Sequence, residues 1–244
     1  KVYNNLGNLL NHKGLSDAAL SSYRQAIQIK PNLYEAHNNL GNALKDRGRF
    51  AEAIACYQKA LQFRSDYTEA YQNMGVAFTE QGRLDEGVGC FQKAIELRPD
   101  FAEAYNFLGL CFEKQARVAE AISSFEKAIQ IKPNYAEAYS YLIHQYQHTC
   151  DWQRLMQYSK RLDELNRQTA ENRKSCAEPP FICMARHSDL SQNFINARAW
   201  CRKIVQPLQN LKLGFSFEHR RQKINRLTIG YLSCDFHDHA TAHL

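Results

Sequence analysis

Three histidines near the end of the chain, His237, His239 and His243, stand in the spacing H-x-H-x3-H, with Asp235 and Asp238 beside them. Imidazole nitrogens so placed could ligate a zinc-type ion. No cysteine or further carboxylate at ligand spacing completes the set, so no metal is expected; histidines satisfied within a folded loop are an alternative. A second chemistry lies far upstream, in carboxamides that recur in pairs: Asn5 with Asn8, Asn39 with Asn42, then Asn73 with Val76. Phe107 with Leu110 and then Tyr141 take these places further along. A carboxamide offers both donor and acceptor, so a column of them can pair with an extended peptide backbone whatever its side chains. The competing reading is that asparagine is merely tolerated there.

Whatever the carboxamides do, a repeated scaffold positions them. Glycine recurs at Gly7, Gly41, Gly75 and Gly109, always 34 residues apart, and its neighbours recur with it. An aromatic or His lies four residues back (Tyr3, His37, Tyr71, Tyr105), and Leu or Met one back (Leu6, Leu40, Met74, Leu108). Downstream come Ala19, Ala53, Gly87 and Ala121, then Tyr23, Tyr57, Phe91 and Phe125, then Ala26, Ala60, Ala94 and Ala128. Pro31, Pro99 and Pro133 close three copies, with Ser65 as the exception. Each copy reads as two helices. The first shows apolar residues at helical spacing. It stops at Gly14, Gly48 or Gly82, where a left-handed cap costs no Cβ clash. Ala116 in the fourth copy predicts a turn that is tighter or slightly strained.

These columns resemble the tetratricopeptide repeat. The resemblance implies a mainly α, right-handed superhelical solenoid over residues 1–150, with copies starting near 1, 34, 68, 102 and 136, the last degenerate. Ile143 replaces the glycine in that last copy, and Cys150-Asp151-Trp152 stands where its second helix should begin. In such arrays partners bind the concave groove lined by the first helices. The candidate groove residues are therefore Asn5, Asn8, Asn39, Asn42, Asn73, Phe107 and Tyr141, and the expected partners are protein or peptide segments. Glu35, Glu69, Glu103 and Glu137 form an acidic row early in those helices, which argues against a groove for carboxylate tails.

Bulk properties exclude other classes. Residues 1–150 hold 16 Lys and Arg against 16 Asp and Glu, so the net +6 falls wholly in residues 151–244. A nucleic-acid platform would carry its basic excess on the array, so no nucleic acid is expected. No run of about eighteen apolar residues is present, and no membrane partner is expected. The eight cysteines are scattered without C-x-x-C spacing, which fits reduced thiols and a cytoplasmic protein, or a nucleocytoplasmic one in a eukaryote. Lys1 opens inside a repeat, so the natural N-terminus is expected upstream.

From Asp151 the period is lost, and residues 151–226 read as a helical connector. Residues 153–167 suit a helix; Gln168 to Pro180 reads as a loop; Phe194, Ala197, Cys201 and Ile204 mark another amphipathic helix. Leu227-Thr228-Ile229-Gly230-Tyr231-Leu232-Ser233 is β-rich, like the buried first strand of an α/β domain. One strand and a loop cannot bury a core, so residues 227–244 are expected to open a domain that continues further.

This last run resembles the start of the catalytic region of protein O-linked N-acetylglucosamine transferases, whose pattern is R-[VI]-G-Y-[VL]-S-x-D-F-x-x-H-x-T-x-H-L. Gly230, Tyr231, Ser233, Asp235, Phe236, His239, Thr241, His243 and Leu244 match; Thr228, His237 and Ala240 depart. The Cys150-Asp151-Trp152 exit and the asparagine column are also features of that family. The resemblance implies a GT-B-like catalytic domain, truncated here, that moves N-acetylglucosamine from UDP-GlcNAc to Ser or Thr hydroxyls without a cofactor or metal. It implies that His239 acts as base or positions groups, that His243 assists, and that Asp235 supports the loop. The parent protein is then an enzyme, and the 244 residues alone are expected to be inactive. Two alternatives stay open: a non-catalytic repeat adaptor, and a related protein O-fucosyltransferase, which shares D-F-x-x-H.

Overall fold

The computed structural model describes residues 1–171. They form ten α-helices: α1 (Val2–His12), α2 (Ser16–Ile29), α3 (Tyr34–Lys45), α4 (Phe50–Phe63), α5 (Thr68–Glu80), α6 (Leu84–Leu97), α7 (Ala102–Lys114), α8 (Val118–Ile131), α9 (Ala136–His148) and α10 (Trp152–Glu171). Among the described residues there is no strand. The expected strand at 227–233 and the connector after residue 171 lie outside the described residues.

Helices pair in sequence order: α1 with α2, α3 with α4, α5 with α6, α7 with α8, and α9 with α10. Each second helix then packs on the first helix of the next pair, while α1, α3, α5 and α7 also touch one another in succession. This is the contact pattern of a stacked helical repeat, in which each unit meets only its neighbours.

A close approach sets the geometry of each pair. A Cβ placed on Gly7 would lie 2.5 Å from the Tyr23 ring, and one on Gly41 2.6 Å from the Tyr57 ring. Gly75 and Gly109 meet Phe91 and Phe125 in the same way. Tyr57, Phe91 and Phe125 are wholly buried, so none of these rings has room to withdraw. Ala19, Ala53 and Ala121, which are also fully buried, keep the second helix slim where it crosses the first.

The turns inside the pairs repeat as faithfully. Gly14, Gly48 and Gly82 have φ of 76°, 72° and 75°. The residue after each returns a bond five residues back, as in Leu15 N–H to Leu10 O (2.9 Å) and Arg49 N–H to Leu44 O (3.0 Å). That is the Schellman termination, which satisfies carbonyls the helix end would leave open. Ala116 takes the same left-handed conformation at φ 57°, and so does Cys150 at φ 56°. The strain anticipated at Ala116 is therefore present, and a second strained turn lies one period later.

The fifth copy is built by exchange. At the ring position, 34 residues after Phe125, stands Ser159; at the glycine position stands Ile143, which is fully buried. Volume taken from the second helix is returned by the first, the kind of swap a core tolerates. Leu142, Ile143, Tyr146, Leu162 and Leu165 join α9 and α10 in one apolar cluster with α7 and α8. At the other end, Val2, Tyr3, Leu6 and Leu9 are exposed, whereas their counterparts Ala36, His37, Leu40 and Ala43 are buried beneath the preceding pair.

Two substitutions of opposite sign test this account. Gly41→Ala drives a methyl into the Tyr57 ring and lowers stability by about 1–3 kcal/mol. Ala116→Gly relieves the left-handed turn and raises stability by about 1 kcal/mol. Denaturant unfolding monitored by helical circular dichroism reads both; an unchanged midpoint for Gly41→Ala would refute the close-packing argument.

Candidate functional site

The face formed by the first helices carries the polar columns. Asn5 and Asn8 are exposed; Asn39, Asn42 and Asn73 are half-buried. These side chains are wired to one another and to the buried rings. Tyr23 Oη donates to Asn8 Oδ1 at 2.9 Å, and Tyr57 Oη donates to Asn42 Oδ1 at 2.8 Å. Asn39 Nδ2 donates to Asn4 Oδ1 (3.1 Å) and to Asn8 Oδ1 (3.0 Å) of the preceding copy. Asn73 Nδ2 donates to Asn38 Oδ1 at 3.1 Å.

These bonds determine what each amide can offer a ligand. Asn8 Oδ1 accepts twice, so its remaining capacity is the two donors on Nδ2. Asn39 spends both Nδ2 protons internally, so its remaining capacity is the Oδ1 acceptor. Asn42, with one Oδ1 lone pair held by Tyr57, has both Nδ2 donors and a second lone pair left, and Asn73, with one proton given to Asn38, has its Oδ1 and one N–H left. Along the face Asn8 therefore offers donors, Asn39 an acceptor, and Asn42 and Asn73 both kinds, a mixed polar edge that can meet the C=O and N–H groups of a peptide backbone. A cavity of about 260 Å³ lies at the first two copies, lined by Asn8, Asn11, His12, Tyr23, Asn39 and Asn42. Asn5 makes no side-chain bond among the described residues, so its whole amide is open.

The chemistry changes at the third copy. There the ring is Phe91, which has no hydroxyl and requires no acceptor; Val76 stands where Asn42 stood. Phe107 stacks on Phe91 with centroids 5.7 Å apart and planes at 12°. Tyr141 stacks on Phe125 at 5.6 Å and 24°. Val76, Leu110, Phe107 and Tyr141 are partly buried against the core, so this end of the face is apolar. The donor that would reach Asn106 from the next copy is replaced by Tyr141. Asn106 Oδ1 is accordingly buried with no hydrogen-bond partner.

The acidic row is partly neutralised. Arg98 pairs with Glu69 at 2.6 Å and Lys132 with Glu103 at 2.7 Å. Burial pushes both carboxyls up, but the cation and a backbone bond outweigh it and hold each below its ordinary value. The row repels a bound carboxylate less than the bare sequence implies. Burial raises the thiols of Cys56 and Cys111 and pushes Cys90 up to about 12, so these are packing groups and not nucleophiles.

The sequence columns put Asn5, Asn8, Asn39, Asn42, Asn73, Phe107 and Tyr141 on the first helices of their pairs, where the structure places them, on α1, α3, α5, α7 and α9. They missed the acceptors behind them, Asn4 and Asn38, and the hydroxyls of Tyr23 and Tyr57. The signal was available in the period: residues 4 and 38 are both asparagine one place ahead of the named column. His239, His243 and Asp235 lie outside the described residues. Among the described residues no helix is long and apolar enough to cross a membrane, and no three histidines, cysteines or carboxylates are placed to ligate one metal ion together.

Comparison with known proteins agrees with this architecture. A TPR repeat model matches residues 7–46 and 41–82, and a tetratricopeptide repeat model matches residues 73–136. No curated protein matches the sequence. Among solved structures, MamA is 28% identical with a TM-score of 0.62, over 68% of this chain and 96% of that one. PilF of Pseudomonas aeruginosa is 20% identical with a TM-score of 0.64, over 87% of this chain and 91% of that one. YrrB, described as a TPR protein with an unusual peptide-binding site, is 21% identical with a TM-score of 0.54, over 67% of this chain and 84% of that one. The matched models together span residues 7–136, and the chain belongs to the tetratricopeptide-repeat family.

Proposed function

We propose that this protein is a peptide-binding repeat array that holds extended protein segments along the face of its first helices. The observation that carries the reading is the row of open amide edges, donors and acceptors together, on Asn8, Asn39, Asn42 and Asn73. A backbone-directed contact of this kind accepts many sequences, because the groups it bonds are common to all of them. The likeness to YrrB supports the same reading through the shared fold.

A second reading builds on the first and is favoured by one specific observation, the run Gly230-Tyr231-Leu232-Ser233-Cys234-Asp235-Phe236 with His239, Thr241 and His243 after it. In this reading the array recruits protein substrates for a UDP-GlcNAc-dependent protein O-glycosyltransferase. His239 is then the group that takes or directs the hydroxyl proton, a role imidazole suits near neutral pH. Asp235 and His243 support its loop. A non-catalytic adaptor needs none of these residues.

Asn8→Asp together with Asn42→Asp tests the array. Aspartate keeps the oxygen that accepts from the tyrosine but replaces the outward donors with a second acceptor. Binding of several unrelated extended peptides should fall by about tenfold or more, by similar factors, at an unchanged melting temperature. Equal binding, or a loss confined to one peptide, would show that the asparagines are packing residues. Asn39→Ala, by contrast, strips Asn4 of its donor and Asn8 of one of its two, and should itself lower stability by about 1 kcal/mol.

For the transferase reading, His239→Ala in the intact enzyme should lower turnover by about 10²–10⁴-fold with little change in sugar-nucleotide affinity. His237→Ala should be nearly silent, because the family pattern has no histidine there. Mild and equal effects at both positions in a sugar-transfer assay would remove the catalytic assignment.

A further inference from the structure

At the far end of the first-helix face, two histidines meet. His144 and His148 are four residues apart on α9, so their side chains share one side of the helix. Their Nε2 atoms are 3.0 Å apart, with ring centroids at 4.4 Å and planes at 85°. His144 Nδ1 lies 3.1 Å from Glu113 Oε1 on α7. The same carboxylate oxygen accepts from Gln145 Nε2 at 2.7 Å, and Gln145 is buried. His144 occupies in the fifth copy the place that Asn8 and Asn42 hold in the first two.

This wiring assigns the protons. A carboxylate only accepts, so His144 Nδ1 carries the hydrogen and its Nε2 carries the lone pair. That lone pair accepts the hydrogen of His148 Nε2, so an ion that replaces this bond is bound with His148 holding its hydrogen on Nδ1 instead, which frees both Nε2 lone pairs. Two imidazole nitrogens held about 2.0–2.1 Å from one ion at a tetrahedral angle lie about 3.3–3.4 Å apart. The observed separation is a few tenths of an ångström short of that, a difference the exposed ring of His148 can supply by rotating. Glu113 then stands where a carboxylate orients a metal-bound imidazole and raises its basicity.

We propose that His144 and His148 form a chelating site for a borderline divalent transition ion of the zinc, nickel or copper class, with Glu113 as the residue that positions His144. Imidazole selects such ions over magnesium or calcium. Among the described residues no third protein ligand reaches the pair, so the remaining positions are taken by water, and the site is an open one.

Titration of the full chain with Zn²⁺ by calorimetry tests the proposal, since histidines elsewhere in the sequence are held constant between variants. His148→Ala is chosen first because the side chain is exposed and its loss leaves the fold intact, as circular dichroism will verify. The expected result is the loss of one equivalent of zinc relative to the unsubstituted chain, and the same loss in His144→Ala. Glu113→Gln should keep the equivalent but bind it about tenfold or more weakly. His239→Ala should leave this equivalent in place. Zinc binding that is identical in stoichiometry and affinity with and without His148 would overturn the proposal, as would an absence of zinc binding by the unsubstituted chain.

Discussion

Everything in this array follows from one contact, a backbone glycine seated against a buried aromatic ring. Gly7, Gly41, Gly75 and Gly109 allow the first helix to lie directly on the ring of the second. Interiors pack at crystal-like density, so a ring with no freedom to withdraw sets the spacing and rotation of the pair. Every residue on the outward side of the first helix takes its place from that seating. The fifth copy shows that the constraint is one of volume and not of residue type. With Ser159 in place of the ring, a branched Ile143 fits where only glycine could before.

The choice between tyrosine and phenylalanine then decides the chemistry of the face. A buried hydroxyl needs an acceptor, and leaving it without one costs more than a normal bond contributes. Tyr23 and Tyr57 find theirs in Asn8 and Asn42, and the amides so fixed turn their donors outward. Phe91 and Phe125 impose no such demand. Val76 and Leu110 can replace the acceptor, and Phe107 and Tyr141 cover the rings by stacking. A change of one oxygen atom in the core is thus carried to the surface as a change from a hydrogen-bonding face to an apolar one.

The helix pairs, their turns and the face they expose were legible in the sequence because each depends on residues within one copy or on strict recurrence. Gly14, Gly48 and Gly82 announced their turns, and Ala116 was recognisable as an exception. Cys150 was not, because the matching columns around it had lapsed and it read as the end of the array. The orientation of the carboxamides was hidden for another reason. It is set by bonds from Asn39 to Asn4 and Asn8 and from Asn73 to Asn38, about one full period away, and a column read by itself contains no such pairing. The neutralisation of Glu69 and Glu103 escaped notice likewise, since Arg98 and Lys132 stand in the linkers and not on the face.

The two ends of the face differ in what they can discriminate. If the face holds peptides as proposed, amide edges bond the backbone, which every peptide shares, and the first three copies would contribute affinity and an extended conformation with little choice of sequence. Stacked rings and aliphatic groups respond to side chains, since burying apolar area is favourable only where the partner supplies some. On the proposed reading, selectivity among extended segments would come from the copies that hold Phe107, Leu110 and Tyr141, while the copies that hold the asparagines would grip whatever those select. A uniform asparagine column could not make that division. It arises here because the core rings lose their hydroxyls halfway along the array.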